Sequence, residues 1–194
     1  MFWSRFSNYM RRVAPDRVSE GVLNFIVGDE CNSIQRQAKV GRVLKLSRYL
    51  SDIRNLILSC SFLDLWKLTC RALDADVNSK TVAFAVKMGY YGARALKICR
   101  GPLPKEIPIP LDRRVARATL SLGIIRANSF EDVMRCRDLV LESWRSIGES
   151  SGIPPIHIDF LLWALQNPST LAKALHRVSR SKEEILKTLL RLIR

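Results

Sequence analysis

Four prolines between positions 102 and 110 (Pro102, Pro104, Pro108 and Pro110) constrain this chain more than any other feature. Each ring fixes φ and removes a backbone donor, so the segment can continue neither a helix nor a central strand and has to run extended and stiff. Helical periodicity lies on both sides of it. Upstream, Lys80, Phe84, Lys87 and Tyr91 follow the spacing i, i+4, i+7, i+11, which at about 100° per residue puts two amines and two aromatics on one stripe. Downstream, Asp112 precedes RRVARATL and is placed to open a second helix. The stiff crossing therefore holds Lys80 and Asp112 in a fixed relation.

Taken singly, both residues have ordinary readings. Lys80 reads as a solvated lysine in a first helical turn, and Asp112 as an N-cap whose carboxylate accepts from the free N–H groups that follow it. Their order is more informative. A lysine just after a helix-helix turn, followed by Pro-x-Asp at the start of another helix, resembles the helix-hairpin-helix DNA glycosylase superfamily. Three blocks narrow the likeness: KTVAFAVKM from Lys80, EIPIPLDRRVARAT from Glu106 and GIPPIHIDFLLW from Gly152. Together they resemble the archaeal 8-oxoguanine DNA glycosylase/lyase branch, AGOG, over about residues 79–165.

The resemblance implies an all-α fold with helices around a DNA-facing cleft and a single domain over 1–194. Within it, the catalytic helix-hairpin-helix-like unit spans about 62–122 and a base-recognition helix about 154–166. Residue by residue, it implies that Lys80 is the Schiff-base lysine and Asp112 the catalytic aspartate. Phe84, Lys87, Asp159 and Trp163 match positions that enclose and read the damaged base. The implied activity is that of a bifunctional enzyme of base excision repair, which removes oxidised guanine and cleaves the strand by β-elimination without a metal or organic cofactor. The chain departs from the superfamily at the hairpin. Relatives usually have Leu-Pro-Gly-x-Gly there, where bare backbone approaches a phosphate; here the turn is Asp74-Ala75-Asp76-Val77-Asn78-Ser79.

The residue types suit the chemistry. A base must leave the helical stack before its glycosidic bond can be reached, and two aromatics such as Phe84 and Trp163 could sandwich a flipped purine. Asp159, one turn before Trp163, could accept from purine N–H groups. Lys80 must be neutral to attack C1′, and the positive end of its helix, the neighbouring Lys87 and partial burial would all favour that form. Asp112 would stabilise the cationic sugar as the base leaves and help move the lysine's proton. Arg113 and Arg114, at the same helix N-terminus, could hold flanking phosphates.

Composition agrees with a polyanionic partner. Thirty-two Lys and Arg face 18 Asp and Glu, a net charge of +14. The expected partner is double-stranded DNA containing oxidised guanine, with single strands left open, and the expected state is a monomer. No apolar run approaches the ~18 residues of a membrane span, and MFWSRFSNYMRR lacks a cleavable export pattern, so an intracellular setting in the cytoplasm or nucleoid is expected. Cys31, Cys60, Cys70, Cys99 and Cys136 are irregularly spaced, which argues against zinc, an iron-sulfur cluster and a disulfide framework, and for buried thiols in a reducing interior. His157 and His176 stand alone.

Nearly every other segment has helical period, with capping boxes at Ser129/Asp132 and Ser181/Glu184. No stretch alternates as a strand. Two further readings stay open from the residues alone: a non-catalytic basic helical DNA- or RNA-binding protein on the same scaffold, and a helical subunit of a ribonucleoprotein. Both predict nucleic-acid affinity without a covalent imine.

Overall fold

The computed structural model describes residues 2–165, and all of its regular structure there is helical. The capping box at Ser181 and the other features beyond residue 165 lie outside the described residues. Ten α-helices follow one another: α1 (Phe2–Met10), α2 (Val18–Gly28), α3 (Arg36–Ser47), α4 (Leu50–Leu58), α5 (Phe62–Leu73), α6 (Lys80–Ala95), α7 (Arg113–Ser121), α8 (Phe130–Arg135), α9 (Arg137–Ser151) and α10 (Pro155–Leu165). The Ser129 hydroxyl accepts from the Asp132 N–H at 3.1 Å and starts α8, as its sequence pattern predicts.

Two buried clusters form the core. Phe62 and Leu65 of α5 and Val82, Val86 and Tyr90 of α6 build the first, while Val115 of α7, Val133 of α8 and Val140, Leu141 and Trp144 of α9 build the second. The proline crossing belongs to both. Leu103 and Ile107 enter the first cluster, Ile109 and Leu111 the second, so a rigid segment with fixed φ angles threads from one core to the other. Helix α10 does the same with Ile156 in the first and Ile158 and Leu162 in the second. Both connecting segments are thus locked by burial at each end, which fixes the place of Asp112 and Asp159 relative to α6.

Local contacts secure this frame. Tyr90 donates its hydroxyl to the Gly101 carbonyl at 2.6 Å, and His157 Nε2 accepts the Leu103 N–H at 2.8 Å, so the start of the crossing is clamped from α6 and from α10. The two clamping rings also meet edge to face, with centroids 5.4 Å apart. His157, which has no other histidine or cysteine near it in sequence, is therefore a structural acceptor. At the α9–α10 corner, a Cβ on Gly148 would fall 2.9 Å from the Ile153 carbonyl oxygen, so only glycine allows the chain to turn this closely.

The turn between α5 and α6 shows how a hairpin without glycine closes. Asp74 takes the left-handed conformation at φ 51°, a role more often given to glycine that a short polar side chain tolerates. Asp76 accepts from the Asn78 N–H at 2.7 Å, and Arg137 of α9 donates to the Asn78 carbonyl at 2.6 Å. Local polar bonds replace the missing glycines.

The cysteine reading needs correction. Cys60, just after α4, is disulfide-bonded to Cys99, just after α6, across 39 residues of sequence. Helices α5 and α6 run out and back between them, which brings together two cysteines whose spacing carries no pairing signal. Of the free thiols, Cys70 is buried but Cys31 and Cys136 are exposed.

Candidate active site

The stripe of α6 is divided by depth. Lys80 is the first residue of the helix and is exposed, and Phe84 is also exposed, whereas Lys87 is buried and Tyr91 half-buried. The partial burial expected for Lys80 is not observed. Because the residue opens the helix, no preceding turn shelters its side chain. Lys80 and Lys87 are separated by seven residues, or about 10 Å along the axis.

Lys87 finds its partner on α10. Its ammonium pairs with Asp159 Oδ2, and both side chains are almost wholly enclosed. Their depth makes the pairing obligatory, since either charge alone in this interior would be strongly destabilised. The ammonium also lies 5.6 Å from the centre of the Tyr91 ring. Burial, aided by the charges of Asp159 and Tyr90, pushes the Tyr91 phenol up to about 12, so it remains a neutral donor at working pH. Two residues from separate sequence blocks, 72 positions apart, thus meet inside one site.

Around that pair the apolar surface is open. Trp163, one turn beyond Asp159 on α10, is 45% exposed, and Phe84, one turn before Lys87 on α6, is 43% exposed. Trp163 stacks on Phe160, with centroids 6.4 Å apart and planes 27° from parallel. Phe160, itself exposed, was not picked out by sequence reasoning, although its place three residues before Trp163 on one helix was the available signal.

Asp112 caps α7 and is occupied on both oxygens. Oδ1 accepts from the N–H groups of Arg114 at 2.8 Å and Val115 at 3.1 Å; Oδ2 accepts from Arg114 Nε at 2.9 Å and Nη2 at 2.6 Å. Burial alone would raise its pKa, but the hydrogen bonds from the Arg114 side chain and the Val115 N–H, with the charge of Arg114, bring it below the ordinary carboxylate value. The carboxylate is therefore anionic and a weak base. Arg114, proposed from sequence as a phosphate contact, rests on Asp112, while Arg113 beside it is exposed. Burial lowers the Arg114 pKa, yet its bond to Asp112 and the charges of Asp112 and Asp159 carry it above the usual guanidinium value. Asp159 therefore pairs with Lys87, and its charge also favours the Arg114 cation on α7.

A family model described as AGOG, N-glycosylase/DNA lyase, matches residues 1–193. The chain belongs to that family. Among curated relatives, the N-glycosylase/DNA lyase of Aeropyrum pernix is 33% identical over 172 residues, covering 84% of this chain and 59% of the relative. That of Methanopyrus kandleri is 30% identical over 165 residues, covering 84% and 63%. The chain thus spans less than two thirds of these relatives. The crystal structure of the Pyrobaculum aerophilum AGOG protein, an 8-oxoguanine DNA glycosylase complexed with 8-oxoguanosine, superposes with a TM-score of 0.70 at 26% identity, over 95% of this chain and 70% of that one. The AGOG chain, all-helical over its described residues, accordingly has the helix-hairpin-helix glycosylase fold.

Proposed function

We propose that this AGOG-family protein is a bifunctional DNA glycosylase and AP lyase that excises 8-oxoguanine from DNA in the cell, acting as a monomer. The observation that supports the reading is the family match, together with the Lys87–Asp159 pair that joins α6, whose first residue is Lys80, to α10, which carries Trp163 and packs against α7, the helix capped by Asp112. A flipped purine would stack on the exposed faces of Phe84 and Trp163. The Lys87–Asp159 pair beneath would present fixed dipoles to its polar edge at no reorganisation cost.

In the bond-breaking step, neutral Lys80 Nζ attacks C1′ as the C1′–N9 bond breaks, and the base leaves as an anion that takes up the proton the lysine nitrogen then loses. Asp112, held anionic by its donors, stabilises the positive charge that develops on the sugar. Its low basicity fits an electrostatic role better than that of a proton acceptor. Loss of a proton from the lysine nitrogen and opening of the sugar give a Schiff base between Nζ and C1′. That imine acidifies C2′–H; its removal expels the 3′ phosphate and breaks the strand. No step calls for a metal or organic cofactor.

The test is incubation with duplexes that each carry a single lesion, with borohydride present. Reduction of the imine should leave protein covalently joined to the 8-oxoguanine strand and not to an intact guanine strand. DNA binding with no trapped complex on any lesion would overturn the proposal in favour of a non-catalytic binding protein on this scaffold.

A further inference from the structure

A cavity of about 360 Å³ lies between α3 and the α5–α6 turn. Arg42 and Lys45 of α3 line one side, and Ser79 and Thr81, the two neighbours of Lys80, line the other. The cavity therefore opens beside the residue proposed as nucleophile. Arg42 is half-buried yet makes no hydrogen bond or ion pair with any described residue. Lys45 makes a single long contact, 3.5 Å to the Leu73 carbonyl. Ser79 precedes α6 without a side-chain capping bond.

The Arg42 guanidinium thus lines the cavity with no carboxylate among the described residues to neutralise it, and an anion entering there would pair with it. The acidic turn residues do not supply that anion: neither Asp74 nor Asp76 lines the cavity, and Asp76 lies 3.6 Å from Arg137 on the other side. Nor does the turn have glycines to bring bare backbone against a phosphate. We propose that Arg42 and Lys45 form a phosphate-binding subsite that seats one backbone phosphate of the DNA strand carrying the target nucleotide. The cations that hold the strand next to Lys80 then come from α3, a helix outside the hairpin unit. The forked Arg42 guanidinium suits two phosphate oxygens, and Lys45 adds a second charge. This inference rests on the proposed DNA function, and a separate readout tests it.

Gly41, in the same wall, gives a way to block the site without disturbing the core, because a Cβ there would meet nothing within 4 Å. Binding of a duplex with a tetrahydrofuran abasic analogue is measured by fluorescence anisotropy across a salt series. The proteins compared are wild type, Arg42→Gln, Lys45→Gln, the double variant, Gly41→Ala and Gly41→Glu. Arg145→Gln, which removes an exposed arginine paired with Glu142, serves as the control for net charge. Arg42→Gln should weaken binding and flatten the slope of log affinity against log salt by about 1, the size of one phosphate contact. Gly41→Glu should weaken binding several-fold, and Gly41→Ala should not. A double variant with wild-type melting temperature whose slope changes no more than that of Arg145→Gln overturns the subsite. Borohydride trapping by wild-type protein is scored in parallel on an 8-oxoguanine duplex, because the tetrahydrofuran analogue carries no base to leave and cannot form an imine. Its absence with the slope change intact sinks the glycosylase reading alone; its presence without the slope change sinks the subsite alone.

Discussion

Lys87 and Asp159 join α6 to α10 through an ion pair whose side chains are only 5% and 3% exposed. At that depth the pair contributes little as a pair but a great deal as a mutual requirement, because removing one partner strands the other charge in the interior. Lys87→Met or Asp159→Leu should each cost about 3 to 5 kcal/mol in urea denaturation. The double substitution should recover most of that loss. If the double variant is no more stable than the worse single one, the two charges are not coupled and the pair does not hold α10 in place.

His157 gives the protein a pH dependence between neutrality and mild acid. Burial, and then the charges of Lys87 and Arg94, lower its pKa below 6.5, so the folded state keeps the neutral ring that accepts the Leu103 N–H. A base depressed in the folded state contributes stability that is present above its unfolded pKa and is lost as pH falls from about 6.5 through the folded value. The melting temperature should therefore fall between pH 7.5 and 5.5. His157→Gln, whose side-chain carbonyl can still accept from Leu103 but does not titrate, should flatten that fall. An equal fall in both proteins would place the responsible group elsewhere.

Much of this architecture can be read from the sequence, for identifiable reasons. The crossing is legible because proline acts locally, the start of α7 because its cap is local, and α6 and α10 as helices because apolar period is local too. Asp112 shows how far such reasoning reaches: its capping role follows from its neighbours, whereas its grip by the Arg114 guanidinium depends on a rotamer. Pairings across the fold have no local signal. The Lys87–Asp159 ion pair joins residues singled out individually, and the partnership comes only from tertiary packing. The Cys60–Cys99 bond and the His157–Leu103 contact were missed because each requires knowing that α6 doubles back toward α4 or that α10 lies along the crossing.

Asp112 has both a structural and a proposed chemical role, and one substitution separates them. Asparagine is as good an N-cap as aspartate, so Asp112→Asn should keep the bonds to the Arg114 and Val115 N–H groups and stay within about 1 kcal/mol of wild-type stability. It removes the negative charge proposed to stabilise the developing cation. Excision of 8-oxoguanine should therefore drop by two orders of magnitude or more, about 2.7 kcal/mol of transition-state stabilisation on the scale of a lost electrostatic contact. Single-turnover rates with saturating enzyme measure this. Unchanged rates would reduce Asp112 to a helix cap.

The identity of the nucleophile is the sharpest test, because two lysines share the α6 stripe and the structure gives them opposite surroundings. Lys80 is exposed at the helix start, free to reach a sugar brought to the surface of the cleft, whereas Lys87 is enclosed and bound to Asp159. A buried amine already paired with a carboxylate would have to break that pair and lose its proton before attacking C1′, which favours the exposed lysine as the proposed nucleophile. Lys80→Gln should abolish borohydride trapping and strand cleavage while lesion-containing DNA still binds, since the stacking and phosphate contacts do not involve its amine. Lys87→Gln can still donate an amide hydrogen bond to Asp159; it should weaken lesion recognition and leave some trapping. Wild-type trapping by the Lys80 variant would show that another amine forms the imine and that the chemistry assigned to the start of α6 is misplaced.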